Sequence, residues 1–376
     1  MIPYGYHSVD REEIEAVTQV LEGKWLTQGE MVSQFEKDFS DNCGSLDSCS
    51  TSNATAALHL SYLALGLEEG SHVWTTPNTF VATSNAALMC GAKVRFIDID
   101  LASGNMAIDK LENALLQAKA NNQLPDVVCI VHFAGHPVDM HRVNKLAEQY
   151  QFKVIEDASH AVGAKYKTGE TVGCGKYSDL TVFSFHPVKI ITTGEGGIIT
   201  SNNRALISRC KILRSHGIDR DLHNRGNSWE FDQTELGMNY RLTDIQASIG
   251  IVQLKKLKHF LERRNSIAGY YVEKLQSSNI DMVLPEKGCY SSYHLFPVLV
   301  ERRKQVFEAM RNRGVGVSVH YKPVYLHAYY KGLGYEAGLC PSSELFYERE
   351  LSLPIYPGLK QEQQDQVIDT LLLALQ

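Results

Sequence analysis

The chain has 376 residues, of which 44% are hydrophobic and 21% charged, and its formal net charge is −6. These fractions are ordinary for a globular protein and exclude global disorder or a coiled coil, while the negative charge argues against nucleic acid as a main partner. The length exceeds what one small core needs, so we expect a large domain joined to a smaller one.

The N-terminal sequence and the cysteines bear on the cellular compartment. The first residues, MIPYGY, contain neither a basic nor a long apolar segment, so no secretory signal is expected and the cytoplasm is the default location. The longest apolar runs have the length of a strand and fall short of a membrane span. The eight cysteines form no Cys-x-x-Cys pair and no cluster with histidines, which favours free thiols over a zinc site.

The first predicted helix begins after Asp10. Asp10 and Glu13 have the spacing of a capping box. Ile14, Val17 and Leu21 recur at helical spacing and predict an apolar stripe on this helix, which ends at a glycine two residues later.

Short apolar segments with the length of strands then alternate with helical segments. This alternation predicts an α/β fold with a mostly parallel sheet and helices on both faces. Ligands in such sheets bind beyond the carboxyl ends of the strands. The predicted strands span residues 72–76, 94–99, 127–132, 152–156, 180–185 and 197–201.

The C-terminal third has a different pattern. Residues 243–276 are predicted to form a long helix, with a basic run at Lys255, Lys256 and Lys258 that we interpret as a solvated face. The pattern beyond this helix predicts a small α+β domain. Its elements are a strand (294–300), a helix (304–313), a strand (315–320) and a closing helix (361–375). We therefore expect a large domain with an N-terminal segment over residues 1–242, and a connecting helix with a small domain over 243–376.

Lys189 lies between an apolar run and a glycine-rich turn, in the sequence SFHPVKIITTGEGG (184–197). Burial in such a setting favours the neutral amine, which is the form that attacks a carbonyl, whereas a solvated surface lysine is the alternative interpretation. Asp157 follows the predicted strand 152–156, about one crossover unit upstream. A lysine and a carboxylate at the ends of two strands indicate pyridoxal phosphate (PLP), with Lys189 as the Schiff-base residue and Asp157 keeping the pyridine nitrogen protonated.

Seven motifs stand in order along the chain: LTQG (26–29), SNATAAL (52–58), PNTFVAT (77–83), EDASH (156–160), the lysine segment (184–197), RSHG (214–217) and GMNYRL (237–242). With these motifs the chain resembles the DegT/DnrJ/EryC1 group of sugar aminotransferases, and the resemblance runs from Tyr4 almost to the C-terminus. It implies a fold type I PLP-dependent transferase that acts on a nucleotide-linked keto-sugar.

Two segments narrow the resemblance. FSFHPVK (183–189) and HYKPVY (320–325) are similar to the branch of the group that serves pseudaminic acid synthesis. This branch transfers an amino group from glutamate to C4 of a UDP-linked 4-keto-6-deoxy-N-acetylaltrose-type sugar. A dTDP-linked or another UDP-linked 4-keto-6-deoxy sugar, as used for O-antigens or antibiotics, is the alternative substrate.

The residues around position 54 offer a phosphate site. A phosphate favours backbone N–H donors at a helix N-terminus, because the unpaired amides and the helix dipole both attract negative charge. The resemblance assigns the amides of Ala54 and Thr55 and the Thr55 hydroxyl to the phosphate, and Ser184 as a second hydroxyl. The alternatives are an N-cap role for Thr55 and a local backbone hydrogen bond for Ser184.

The resemblance also implies contacts with the cofactor ring. Phe80 would stack on the pyridine face, and His160 would lie beside the ring on its O3′ side, where it would join Lys189 and Asp157 as a catalytic residue. A core phenylalanine and a structural histidine are the alternative interpretations.

Further residues are assigned to the substrate and to a second subunit. Asn239 matches the residue that reaches the phosphate from the neighbouring subunit, which implies a homodimer with shared active sites; capping of the long helix is its alternative role, for which Thr243 is better placed. The candidates for contacts with the sugar, the diphosphate or the glutamate carboxylate are Thr27, Gly29, Arg241, His320 and Tyr321.

Two other functions are disfavoured by the residues present. In the 3-dehydratase branch of the same group a histidine replaces the lysine, so the presence of Lys189 argues against that chemistry. A binding protein that kept the fold and lost the reaction is disfavoured by the complete set Thr55, Phe80, Asp157, Ser184 and Lys189.

Overall fold

A seven-stranded sheet forms the centre of the protein in a computed structural model that describes residues 1–219, 231–278 and 280–376. The strands are β1 (Asp47–Thr51), β2 (His72–Thr75), β3 (Lys93–Phe96), β4 (Val127–Val131), β5 (Lys153–Asp157), β6 (Leu180–Ser184) and β7 (Gly197–Ser201). Their order in the sheet is β1-β7-β6-β5-β4-β2-β3. Neighbouring strands from β3 to β6 in this order are parallel, whereas β7 runs antiparallel to β6 and β1.

The six strands expected from the sequence are confirmed, but β1 was missed. Its sequence, DSCST, is polar and gives no apolar signal. Ser48 and Ser50 are nevertheless fully buried, because Ser48 Oγ donates to the Glu36 carbonyl and Ser50 donates from both N and Oγ to Glu36 Oε1. Glu36, distant in the sequence, therefore provides the hydrogen bonds that these buried serines need, in a strand that its own composition does not favour.

Helices cover both faces of the sheet. The helices up to residue 275 are α1 (Arg11–Glu22), α2 (Glu30–Cys43), α3 (Ala54–Ala64), α4 (Ala82–Met89), α5 (Ile108–Ala120), α6 (Met140–Tyr150), α7 (Arg204–Arg214) and α8 (Asp244–Leu275). On β4, Val128 and Ile130 pack into one core with helices α2, α5, α6 and α8, whereas Val127 and Cys129 pack into a second core with α3, α4 and α7. Successive side chains along a strand point to opposite faces, so both faces of β4 are buried and its sequence is a continuous apolar run.

Helix α1 has the predicted capping box and ends at Gly23 as expected, but its apolar stripe does not lie in the core. Ile14 and Leu21 are 52% and 57% exposed, whereas Glu13 is buried. The reason is electrostatic, because Lys256 on α8 lies 2.8 Å from Asp10 Oδ1 and 2.9 Å from Glu13 Oε1. Lys256 thus attaches α1 to α8, and the basic run of α8 is not wholly a solvated face.

A smaller C-terminal domain packs around the end of α8. Residues 315–320, expected as a strand, form only single bridges, between Ile2 and Val315 and between Ser318 and Ser352, so that prediction is wrong. Its backbone pairs with the N-terminal residues instead, and a side chain at Gly316 would lie 2.7 Å from the Ile2 carbonyl oxygen. The remaining elements are β8 (Ile218–Asp219), β9 (Asp232–Gln233), β10 (Asp281–Met282), β11 (Phe296–Leu299), α9 (Arg303–Asn312), α10 (Ala328–Gly332), α11 (Pro341–Arg349), β12 (Glu350–Leu353) and α12 (Gln361–Leu375), with β10, β11 and β12 in one antiparallel sheet.

Neither a membrane-spanning helix nor a metal-binding cluster is present in the described ranges. Within them no helix is long and apolar enough to cross a bilayer, and no three side chains of histidine, cysteine, aspartate or glutamate are grouped to hold a metal ion. The eight cysteines are free thiols, as the sequence predicts.

Candidate active site

A cavity of about 730 Å³ opens at the carboxyl ends of β5 and β6, beside the N-terminus of α3. This is the edge where ligands of parallel sheets bind. Most of the predicted site residues line it: Ala54, Thr55, Phe80, Asp157, His160, Ser184, Lys189, His320 and Tyr321.

Lys189 lies in a tight turn after β6. Its amide donates to the His186 carbonyl over 2.9 Å, and Thr192 and Thr193 both donate to the Phe185 carbonyl, which closes the turn. Burial lowers the pKa of Lys189 to about 8, although the charge of Asp157 acts in the opposite direction. A usable fraction of the amine is therefore neutral near neutral pH, as a nucleophile or a base requires.

Asp157 is buried at the end of β5 and is held on both of its oxygens. Thr83 Oγ1 donates to Oδ2 over 2.7 Å, while the amide and the hydroxyl of Ser159 donate to Oδ1 over 3.1 and 2.6 Å. These donors fix the orientation of the carboxylate in the cavity.

The N-terminus of α3 provides an anion site. Asn53 is the N-cap, since its side chain accepts from the Ala56 amide over 2.8 Å, so the alternative role of Thr55 as the cap is wrong. Among the described residues the amides of Ala54 and Thr55 have no hydrogen-bond partner, and both residues line the cavity. Two unpaired donors at the positive end of a helix favour a phosphate.

Gly197 lets this helix terminus lie against the sheet. A Cβ at position 197 would be 2.7 Å from the Asn53 carbonyl carbon and 2.8 Å from the Ala54 nitrogen. Ser184, at the end of β6, pairs with Gly197 and lines the cavity, and its hydroxyl accepts from the His186 amide over 3.4 Å, the local backbone bond of the alternative interpretation.

Phe80 and His160 line the part of the cavity near Asp157. Phe80 is 61% exposed and is therefore not the core phenylalanine of the alternative interpretation. His160 is buried, and its Nε2 lies 3.1 Å from the Tyr321 hydroxyl, while its Nδ1 is buried without a partner among the described residues. Burial, and then the charge of Lys189, lower the pKa of His160 well below its ordinary value, so the ring is neutral.

His320 enters the cavity from the small domain. Its Nδ1 lies 2.8 Å from Ser352 Oγ, and its ring is 5.6 Å from the ring of Tyr4. Burial, with a contribution from Lys189, lowers the pKa of His320 to about 3, which keeps this ring neutral as well.

Four predicted residues lie outside this cavity. Asn239 is exposed and pairs through its backbone with Ser215, and Thr27 is exposed at a backbone bridge to Thr243. Gly29 and Arg241 line a separate surface pocket, and the Gly29 amide donates to Asp244 over 2.8 Å. Their assigned roles therefore stay predictions, as does the division of the chain at residues 242 and 243.

Several cavity residues escaped the sequence analysis. Thr83 and Ser159 lie inside quoted motifs, and the distance of Ser159 from Asp157, two residues, is typical of a carboxylate that accepts from a nearby amide. Tyr4 gave no signal because only the fold brings the first residues to His320. Other polar residues that line the cavity and were not predicted include Thr79, His186, Glu195 and Tyr240.

The residues present fit the cofactor expected from the sequence. The unpaired amides at the start of α3 suit the phosphate, exposed Phe80 suits a flat ring, and Lys189 and Asp157 supply an amine and an oriented carboxylate in the same cavity. A phosphorylated, electron-accepting ring of the PLP type requires these four features.

Comparisons with known proteins agree with this geometry. Residues 7–372 match the model of the DegT/DnrJ/EryC1/StrS aminotransferase family. A Campylobacter jejuni protein named UDP-4-amino-4,6-dideoxy-N-acetyl-beta-L-altrosamine transaminase is 41% identical over 100% of this chain and 98% of its own length. The structure of Helicobacter pylori PseC, described as an aminotransferase of pseudoaminic acid biosynthesis, superposes with a TM-score of 0.91, at 31% identity over 100% of this chain and 99% of that one. The PLP form of the putative sugar aminotransferase Spr1654 from Streptococcus pneumoniae also has a TM-score of 0.91, at 28% identity over 99% and 98% of the two chains.

Proposed function

Since the chain belongs to the DegT/DnrJ/EryC1/StrS aminotransferase family, we propose that it uses PLP to move an amino group from glutamate to C4 of a UDP-linked 4-keto-6-deoxy sugar. The product would be the UDP-linked 4-amino-4,6-dideoxy-N-acetylaltrosamine named for the Campylobacter jejuni relative. One observation carries the proposal: Lys189, Asp157 and the N-terminus of α3 share one cavity.

The roles of the residues follow from their positions. PLP, when bound, would accept the electrons released as a proton leaves the carbon that bears the amine. The Lys189 amine holds and moves that proton, and a positioned general base of this kind contributes roughly 10²–10⁴-fold to a rate. Asp157, oriented by Thr83 and Ser159, stabilises the positive charge on the ring nitrogen. His320 and Tyr321, which also line the cavity, are the proposed sugar contacts.

We propose that the enzyme is a homodimer in which Asn239 serves the partner's cavity. This proposal is supported by the exposure of Asn239 outside the cavity of its own chain and by exposed apolar side chains such as Trp25 and Leu236, which are 65% and 80% exposed. The eight free thiols fit a reducing compartment and support a cytoplasmic location.

The first experiment asks whether Lys189 carries the cofactor. The purified protein incubated with PLP is expected to become yellow, to bleach with borohydride, and to yield a peptide whose Lys189 bears the reduced cofactor by mass spectrometry. Lys189→Ala should abolish turnover and colour while its circular dichroism stays that of the wild type. The control Lys153→Ala removes an exposed lysine and should retain both. A protein that stays colourless after incubation with PLP would instead support the alternative of a binding protein that has lost the reaction.

A second experiment identifies the substrate. Reverse transamination with a panel of UDP-linked and dTDP-linked 4-amino sugars measures kcat/KM for each nucleotide and each sugar. We expect the UDP-linked altrosamine derivative to have the highest value. A dTDP-linked amino sugar that reacts faster would replace the proposed substrate and leave the aminotransferase chemistry intact.

A further inference from the structure

Glu350 is a buried carboxyl group that the proposed reaction does not use. It begins β12 in the small domain and has no measurable exposure. Its Oε2 accepts from the His320 amide over 2.6 Å, and its Oε1 lies 2.5 Å from Ser352 Oγ. Both contacts lead towards His320, which lines the cavity.

Ser352 connects this carboxyl group to the imidazole of His320. Its Oγ lies 2.5 Å from Glu350 Oε1 and 2.8 Å from His320 Nδ1. A hydroxyl has one proton, so it can donate to only one of these two neighbours and must accept from the other. The direction of the Ser352 hydroxyl therefore depends on whether Glu350 carries a proton.

The opposite nitrogen of His320 is available to a ligand. Within the described part of the chain Nε2 makes no hydrogen bond, and it is not among the buried nitrogen atoms that lack a partner, so it is open to the cavity. A neutral imidazole has one N–H, and the bond made at one nitrogen decides the state of the other.

The surroundings of Glu350 favour its neutral form. No ion pair with Glu350 is found among the described residues, and a buried carboxylate without a cationic partner is costly. The titratable groups that face it are Arg303 from α9, His320 and Tyr321, and Arg303 donates to the Tyr347 carbonyl, not to Glu350. Burial raises the pKa of Glu350 to about 8.

We propose that Glu350 and Ser352 are positioning residues that select the tautomer of His320, so that its Nε2–H donates a hydrogen bond to an oxygen atom of the bound nucleotide-sugar. With Glu350 protonated on Oε1, the carboxyl donates to Ser352, Ser352 donates to Nδ1, and the ring proton lies on Nε2. Loss of the Glu350 proton reverses both bonds, so Nδ1 becomes the donor and Nε2 an acceptor. The part that concerns the sugar rests on the proposed function.

The charged and aromatic groups around His320 do not determine its tautomer. The groups that face its ring are Lys189, His160, His294, Tyr4 and Tyr321. Burial, and then the charge of Lys189, keep the imidazole neutral, but no hydrogen bond joins any of the five to its ring nitrogens within the described residues. Among these residues Ser352 alone contacts Nδ1, so the relay through Ser352 selects between two neutral forms.

The tautomer can be measured without turnover. Two-bond ¹H–¹⁵N spectra of the protein labelled with ¹⁵N-histidine distinguish the Nε2–H and Nδ1–H forms, and the signals of His320 are those that disappear in His320→Gln. We expect the Nε2–H form at pH 6.5 to 7 and a shift towards Nδ1–H as the pH rises through about 8, where Glu350 loses its proton. Because no substrate is present, this result stands or falls separately from the proposed function.

Three variants separate positioning from a structural role. Glu350→Gln keeps a donor towards Ser352 and an acceptor for the His320 amide, so its His320 should stay in the Nε2–H form up to pH 9. Ser352→Ala breaks the relay, and the tautomer should cease to follow the pH. Ser343→Ala also removes a buried hydroxyl, one without a partner, and should keep the wild-type response.

The kinetic consequence should appear in the KM for the nucleotide-sugar. Loss of a correctly directed donor in Ser352→Ala should raise this KM about tenfold, the effect of one hydrogen bond, with a smaller change in kcat. Wild type should show a similar rise at high pH that Glu350→Gln lacks. A His320 that is Nδ1–H at neutral pH, or a tautomer that follows the pH equally in wild type and Glu350→Gln, would overturn the proposal.

Discussion

At the scale of single residues, the site depends on how a few polar groups are held. Asp157 receives three hydrogen bonds from Thr83 and Ser159, all within 3.1 Å. Within the described residues the Lys189 amine has no comparable hydrogen-bond partner, and burial lowers its pKa to about 8. The carboxylate is thus held in one orientation, whereas the amine is not tied to a neighbouring side chain.

Replacement of Asp157 should separate cofactor binding from catalysis. Asp157→Asn keeps the size of the side chain, so PLP should still bind, but an amide cannot hold a proton on the ring nitrogen. We expect turnover to fall by about three powers of ten, within the range for proton-transfer groups. Asp179→Asn is the matched control, because Asp179 lies at the amino end of β6, whereas the cavity lies at the carboxyl ends of the strands. An unchanged rate in Asp157→Asn would make Asp157 a structural residue.

Residue-level prediction from the sequence succeeded where the signal is local. Lys189 and Asp157 follow apolar strands, and strand ends can be recognised from composition alone. Glu350 could not be found in this way, because its importance comes from contacts with His320 that depend on how β12 packs beside residues 315–320. Tertiary contacts decide which buried residue becomes the partner of a site residue, and the local sequence pattern contains no information about these contacts.

At the scale of elements, β5 presents different carboxylates to its two faces. Asp157 faces the cavity, whereas Glu156 points to the opposite side and accepts from His132 Nε2 over 2.8 Å, Tyr166 over 2.6 Å and Ser178 over 2.5 Å. Burial alone would raise the pKa of Glu156, but these hydrogen bonds lower it overall. The strand that carries Asp157 is therefore anchored by the hydrogen bonds of the adjacent residue, Glu156.

Glu156→Gln should destabilise the fold and spare the site. The amide leaves buried donors unpaired, so we expect a loss of about 3 kcal/mol in the free energy of unfolding, measured by urea denaturation. Because the folded pKa is lowered, the wild-type advantage should be complete above the ordinary glutamate pKa of about 4.3 and should disappear as the pH falls below it. Glu148→Gln, on the exposed side of α6, should change stability by less than about 0.5 kcal/mol.

Gly197→Ala tests the approach of α3 to the sheet. The added Cβ would meet backbone atoms of Asn53 and Ala54 at 2.7 to 2.8 Å, so the helix terminus must move away from β7. We expect the Kd for PLP, measured by absorbance titration, to rise at least tenfold because the amides that bind the phosphate are displaced. Gly269→Ala meets no atom within 4 Å and should leave this Kd unchanged, while its helix gains roughly 0.5–1 kcal/mol. Equal affinities in the two variants would contradict the assigned phosphate site.

Prediction of elements from the sequence followed the apolar signal. Six strands, the closing helix at Gln361–Leu375 and the N-cap of α8 at Thr243 were recoverable, whereas polar β1 was not. The stripe on α1 is helical as predicted, but its sequence does not show that Ile14 and Leu21 are exposed while charged Glu13 is buried. In both β1 and α1, ionic or hydroxyl contacts across the chain decide which side chains are buried.

At the scale of the whole molecule, the exposure of Asn239 outside its own cavity leads to a test of shared sites. If Asn239 binds the phosphate in the partner subunit, Asn239→Ala should bind PLP more weakly and keep most of its activity at saturating cofactor. Cofactor retention and dimerisation are then linked by mass action.

A mixture of two variants makes this test sharper. In a heterodimer of Asn239→Ala and Lys189→Ala, one cavity has Lys189 together with the partner's intact Asn239, and the other cavity has both defects. At limiting PLP the mixture should regain activity that neither parent shows. No recovery despite demonstrated subunit exchange would place Asn239 outside the partner's site.

Helix α8 belongs to two cores at once. Leu257 and Phe260 pack beneath the large sheet, and Tyr271 and Leu275 pack in the small domain. Between them, buried Arg264 donates to three carbonyl oxygens, those of Tyr293, His294 and Ile355. A helix is stable only as a continuous run of turns, so neither core can melt without unravelling part of the element that supports the other. The large sheet with its helices and the small domain should therefore unfold together, in one cooperative calorimetric transition.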